Sequence, residues 1–206
     1  MTYVDKVMAP TSWLETIFYK PIWLIKALRI ALPWKFKTEI PATHPGVLSF
    51  FQTLRTSEPP FATDNLKIGA AGFCWGGKHA FILAQDKPET QVVRHESQIE
   101  HTKDMRLLDC AFTAHPSYIN PPDDVISVTI PMSVSVGDVD MALKEAKAIE
   151  MKKILEAVDG NMHEVIILPG AKHGFAVRSR PDDKHEMEMA AKAEVQAIEW
   201  FRRWLV

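Results

Sequence analysis

Apolar residues in this chain gather into two alternating kinds of stretch. Short, nearly continuous apolar runs occur at 66–73 (LKIGAAGF), in DCAFTAHP, in VISVTIPMSVSVG ending at Gly137, and in HEVIILPG. Each is bounded by glycine, proline or charged residues and reads as a strand buried on both faces. Between them the apolar positions recur at helical spacing. Val47, Phe50, Phe51 and Leu54 form one such series, with Thr43 or His44 as its cap and Pro45 in its first turn. KHAFILAQ forms a second, stopping near Asp86. MALKEAKAIEMKKILEAV forms a third, with Ala142, Ala146, Ile149, Ile154 and Leu155 at core spacing, and EMEMAAKAEVQAIEWFRRWL closes the chain. Strands alternating with helices predict an α/β domain with a mostly parallel sheet of about four strands and helices on both faces. The interval from Arg94 to Arg106 holds few apolar residues and is expected to be an exposed excursion.

Residues 1–40 follow a different pattern, rich in Trp, Phe, Ile and Lys. In WLIKALRIAL the basic residues Lys26 and Arg29 stand three apart, which predicts an amphipathic helix. The domain reading is therefore a helical N-terminal arm, 1–40, followed by an α/β domain, 41–206. The arm is expected to pack on that domain; a basic membrane-surface helix or a partner-binding arm are the alternatives. The apolar stretch from Trp13 to Phe36 is interrupted by Glu15, Lys20, Pro21, Lys26, Arg29 and Pro33, too often for a membrane span, and no stable membrane association is expected. MTYVDKVMAPTSW has no apolar core followed by a small-residue cleavage site, so no secretory leader is read there.

Composition narrows the function classes. The chain has 206 residues, 47% hydrophobic and 24% charged, enough for one domain with a substantial core. A formal net charge of -2 provides no basic field for nucleic acid, which is not an expected partner. Two cysteines, Cys74 and Cys110, make no disulfide framework, and no Cys/His cluster has zinc-ligand spacing. Neither metal nor cofactor is implied, and reduced thiols suit a cytoplasmic location.

The chemistry concentrates around AAGFCWGG. Cys74 directly follows a predicted strand and opens a predicted helix, with Gly72 and Gly76 two residues to either side. A nucleophile there needs a sharp turn, and small residues at those offsets let the backbone pass close by. The helix amino terminus also favours the thiolate, which is the reactive form. Cys110 sits inside a strand without such a turn and reads as a buried small residue. A nucleophile requires a base, and the base an orienting acid. His173, in LPGAKHGF, follows the last strand; Asp138 and Asp140, in SVGDVDMA, follow the third. Loops leaving the carboxyl ends of parallel strands meet at one sheet edge. The chain order Cys, Asp, His is that of α/β-hydrolases.

Together GFCWGGKHA, TAHPSYI, VGDVD and GAKHGFAVR resemble the dienelactone hydrolase family of α/β-hydrolases, especially its fungal-type members, over roughly residues 40–206. The resemblance implies an α/β-hydrolase-like fold and hydrolysis of a small-molecule ester or lactone through an acyl-cysteine intermediate. It assigns Cys74 as nucleophile, His173 as base and Asp140 as acid, with Asp138 as the fallback. The backbone N–H of Trp75 would be an oxyanion donor. Arg178 resembles a family arginine that holds a substrate carboxylate, with Arg180 as competitor. His115 would line the pocket near the thiol, or else close a turn with Pro116.

One departure stands out. Relatives place several strands before the one that carries the nucleophile, and a loop among them supplies the second oxyanion donor. Here 73 residues precede Cys74 and none reads as a convincing strand. The α/β-hydrolase-like fold is thus expected to be N-terminally abbreviated. Its first strand would keep a bare edge, which favours a homo-oligomer or coverage by the arm. The alternative reading of function is a truncated or non-catalytic relative that serves as an interaction module.

Overall fold

The computed structural model describes residues 12, 13, 15–101, 103–158 and 161–206. The chain divides into two compact units, 1–46 and 47–206. The reading of the first eleven positions lies outside the described residues.

The described residues of the first unit are mainly helical. A π-helical turn, Glu15–Tyr19, leads into helix α1, Lys20–Lys37. The expected amphipathic stripe is not realised: Ile22, Leu24, Ile25, Leu28, Ile30 and Leu32 are all exposed. Positions so closely spaced point in every direction around a helix of 3.6 residues per turn, so Lys26 and Arg29 have no separate polar face. No helix among the described residues is long and apolar enough to cross a membrane.

Helix α2, Ile40–Thr56, starts before the expected cap and holds Pro45 inside it. The Thr43 hydroxyl donates to the Glu39 carbonyl four residues back at 2.9 Å, a bond made within a helix rather than at its mouth. Strands β1 (Gly69–Phe73), β2 (Cys110–Ala114), β3 (Met132–Gly137) and β4 (His163–Leu168) follow. They form a four-stranded sheet in the order β1-β2-β3-β4, parallel throughout, with Gly69 beside Cys110 and Met132 beside His163. The third apolar run is longer than its strand. Its first half folds as turns that bury Val125, Val128 and Ile130, and the amides of Thr129 and Ile130 donate to the Ala84 carbonyl.

Helices cover both faces, as the alternating pattern predicts. Helices α3 (Trp75–Ala84) and α4 (Glu145–Glu156) supply Phe81, Met151 and Leu155 to one face, where they meet Ala70, Ala111 and Val134. Leu48, Phe51 and Leu54 of α2 join the same cluster. Helix α5, Lys184–Leu205, brings Met189, Ala193 and Trp200 to the other, against Cys110, Phe112 and Leu168. The two-residue period of β2 sorts Ala111 to one core and Cys110 and Phe112 to the other. Two expectations change. Helix α4 buries Ala148, Met151 and Leu155, while Ile149 is exposed and Ala142 precedes the helix. The interval after Arg94 is no simple exposed excursion: Arg94 and Gln98 are buried, Arg94 paired with Asp104 at 2.9 Å and Gln98 donating to the Thr63 carbonyl at 2.8 Å. Polar residues can enter a core when they satisfy one another in this way.

Among the described residues β1 pairs only with β2, so no strand runs along its other edge. All four strands point the same way, and their carboxyl ends deliver the loops that carry Cys74, His115, Asp138, Asp140 and His173 to one rim.

Candidate active site

Cys74 sits between β1 and α3 with φ 52° and ψ -116°, a backbone conformation that a side-chain-bearing residue adopts only under constraint. The constraint is close packing. A Cβ on Gly72 would collide with the carbonyl oxygen of Gly76, so the strand and the first turn of the helix touch at that point. The second glycine of the motif plays a different part from the one expected. Gly76 faces open space, and it is Gly77 that packs tightly, where a Cβ would lie 2.5 Å from Thr113 Oγ1. The turn is therefore compressed through Gly72 and Gly77.

The three side chains expected to act together do converge. Cys74 Sγ lies 3.1 Å from His173 Nε2, and His173 Nδ1 lies 2.9 and 3.0 Å from the two carboxylate oxygens of Asp140. Ninety-nine positions of sequence separate the sulfur from the imidazole. Two close approaches set the imidazole against its acid. The backbone of Gly137 abuts that of Ala171, pressing the loop after β3 against the loop after β4. Asp138 Oδ1 then accepts from the Gly170 amide at 2.7 Å, which leaves Asp140 to meet the imidazole. Asp140 is itself buried and held by the amides of Ala142 at 2.7 Å and Leu143 at 3.4 Å. Asp138 thus ties the two loops, and Asp140 faces His173.

The electrostatics follow from these contacts. The hydrogen bond to Asp140 raises the His173 pKa to about 9, against burial and helped by Cys74. Burial alone would push the Cys74 thiol up; hydrogen bonds from Ser117 and His173, the imidazolium charge and the Trp75 amide overcome it, leaving the thiol below its ordinary value. Shifts of opposite sign on adjacent groups favour a thiolate–imidazolium pair at neutral pH. Cys110 is the opposite case: burial, with repulsion from Asp109, holds its thiol up to about 12.

The remaining expected residues fall as follows. The Trp75 amide faces the Cys74 sulfur, and the Trp75 ring stacks edge-on against His79 at 4.3 Å between centroids. His115 is completely buried with φ 41°, its amide donates to the Ser135 carbonyl at 2.8 Å, and its ring lies edge-on to that of His173 at 5.2 Å. Neither ring nitrogen of His115 has a hydrogen-bond partner among the described residues. Burial, then the neighbouring His173 charge, lower its pKa to about 4, so this imidazole is neutral. Arg180 is committed to Glu186 at 3.1 Å and Asp183 at 2.7 Å. Arg178 is exposed, enters none of the ion pairs found among the described residues, and its charge reaches His115.

Ser117 is the residue that sequence reasoning missed. Its hydroxyl lies 3.4 Å from Cys74 Sγ and 3.4 Å from His173 Nε2, and its amide donates to the Cys74 carbonyl at 2.9 Å. Its position inside TAHPSYI carried no signal of this. The loop after β2 folds back with His115 and Tyr118 both at positive φ, 41° and 61°.

Comparison with known proteins gives the chain its relatives. The family model described as "Dienelactone hydrolase family" matches residues 42–205. Hydrolase tropI of Talaromyces stipitatus is 29% identical over 139 residues, covering 68% of this chain and 46% of that one. Hydrolase pyvD of Aspergillus violaceofuscus is 29% identical over 141 residues, 68% of this chain and 48% of the other. The chain thus spans about half the length of the curated relatives it matches. Among solved structures, a dienelactone hydrolase from Anabaena variabilis shares the fold at a TM-score of 0.55 and 21% identity, over 88% of this chain and 68% of that one. With a family model matching residues 42–205, most of its length, this chain belongs to the dienelactone hydrolase family.

Proposed function

We propose that this protein hydrolyses a carboxylic ester or lactone by way of an acyl-cysteine intermediate. The observation that carries the reading is the unbroken line from Asp140 through His173 to Cys74, at 2.9 and 3.1 Å, on the rim where the strands end. The Cys74 thiolate attacks the substrate carbonyl carbon, and the resulting oxyanion is met by the Trp75 amide. As the carbonyl re-forms, the C–O bond breaks and His173 Nε2–H protonates the departing alkoxide. In a lactone that alkoxide stays tethered to the acyl group. Neutral His173 then takes a proton from water, the hydroxide displaces the thiolate from the thioester, and the carboxylic acid leaves. Asp140 keeps Nδ1–H pointed at itself throughout and stabilises the imidazolium.

Arg178, an exposed guanidinium outside the ion pairs found among the described residues, is suited to a substrate carboxylate, and His115 backs the His173 ring rather than opening on solvent. A cytoplasmic location would keep the thiolate from the oxidation to which exposed thiolates are prone. The Trp75 amide is the oxyanion donor assigned here, and a site that works with one such donor in place of two runs about 10²- to 10³-fold slower.

The test is hydrolysis of p-nitrophenyl acetate and of a dienelactone by the purified chain, with Cys74→Ala and Asp140→Asn as controls. Slow turnover that thiol reagents abolish and both variants lack is the expected result. Equal rates from wild type and Cys74→Ala refute the reading. A second reading, an interaction module that pairs through β1 with another chain or a second copy, is favoured by the edge of that strand along which no described strand runs. Concentration-dependent association with no turnover is its signature.

A further inference from the structure

We infer that Ser117 is a positioning residue whose hydroxyl closes a three-membered ring of hydrogen bonds with the Cys74 sulfur and the His173 imidazole. The inference rests on the hydrolase reading for its role in turnover, but its physical content is independent of it. The three atoms lie 3.1, 3.4 and 3.4 Å apart, so each touches both others. A serine hydroxyl has one proton to give and lone pairs to accept with. In the charged pair it donates to the thiolate and accepts from Nε2–H, the one arrangement in which both of its bonds are made to ions.

The hydroxyl is held in place. Ser117 is buried, and its amide donates to the Cys74 carbonyl at 2.9 Å, fixing the loop after β2 to the strained residue whose sulfur the hydroxyl touches. Of the groups facing the pair, Asp140 from the loop after β3 lies on the far side of the imidazole. His115 from the end of β2 has no bond to either atom, and Arg178 acts on this region only through its charge. Among the described residues Ser117 is therefore the side chain, other than His173, that supports the sulfur with a hydrogen bond, and both contacts favour the thiolate. Once the sulfur is acylated the hydroxyl loses its anionic acceptor and stands beside Nε2, where the attacking water must also bind.

The experiment is a titration of the Cys74 thiol by its ultraviolet thiolate absorbance, with Cys74→Ala subtracted, in wild type and Ser117→Ala. The midpoint is expected to rise by about one to two pH units in Ser117→Ala, the size of a lost hydrogen bond to an anion. The acid limb of the kcat/KM profile should move by the same amount. Ser117→Thr and Ser117→Val, equal in shape and differing in the hydroxyl, repeat the comparison should Ser117→Ala not fold. Thr is expected to titrate like wild type and Val like Ala. Equal midpoints across the series overturn the inference. Because the titration needs no turnover, a hydroxyl-dependent midpoint in a chain that hydrolyses nothing would uphold the ring and remove only the hydrolase reading.

Discussion

Replacing Arg55 with methionine tests how the sheet that carries the site is held. The Arg55 guanidinium is buried near the amino ends of β1 and β2 and is bonded through all three of its nitrogens. Nη1 donates to the Leu66 carbonyl at 2.6 Å, Nε and Nη2 to the Leu107 carbonyl at 3.2 and 2.8 Å, and Nη2 to Asp109 at 2.9 Å. Asp109 also accepts from the Ile68 amide at 2.7 Å, so one ion pair ties α2 to the lead-in of both strands. Methionine keeps the apolar stem but strands two carbonyls and a buried carboxylate. Removing one partner of a buried pair costs about 3–5 kcal/mol. Lys67 at 3.7 Å and Arg94 at 3.8 Å still face Asp109, which places the expected loss near the lower end, about 3 kcal/mol. Urea unfolding followed by tryptophan fluorescence reads it as a fall in midpoint at constant slope. Adding Asp109→Asn should cost less than the sum of the two single changes by about 1 kcal/mol or more, because the stranded charge is gone. Cys74 labelling in the folded variant should keep its wild-type rate, since the clamp lies a strand length away, roughly 17 Å. A loss below about 1 kcal/mol, or strict additivity in the double variant, would refute the account.

Three further outcomes follow from the site. Gly72→Ala should destabilise by about 1–3 kcal/mol or more and slow Cys74 labelling, because its methyl meets backbone, whereas Gly76→Ala should be neutral or up to about 1 kcal/mol more stable; thermal unfolding of the pair distinguishes them. The His115 pKa, about 4 when folded against 6.5 as the reference, means the unfolded chain binds the proton first. That contribution to stability is whole above pH 6.5 and is lost as pH falls toward 4, about 3 kcal/mol in all, and His115→Phe should remove that part of the acid slope in urea titrations. Iodoacetamide at neutral pH should label Cys74 well before Cys110, whose buried thiol stays protonated up to about 12; peptide mass spectrometry showing the reverse order would contradict the electrostatics described above.

Much of this protein is legible in its sequence because local rules decide it. Continuous apolar runs between turn residues can only be buried strands or short buried helices, and their alternation with helical periodicity leaves a parallel, two-sided sheet as the economical solution. Parallel strands send their exits to one rim, so topology alone places Cys74, Asp140 and His173 at the same edge of the sheet. What tertiary structure decided is everything that depends on distance across the chain. Asp140 rather than Asp138 meets the imidazole because the Gly170 amide takes Asp138. Gly77, not Gly76, bears the packing at the turn because Thr113 of the neighbouring strand lies against it. Ser117 reaches the sulfur, and Arg55, Arg94 and Gln98 enter the core, through bonds to partners ten to more than fifty residues away. A side chain's partners at such separations leave no periodic trace in sequence; packing selects them once the sheet has formed.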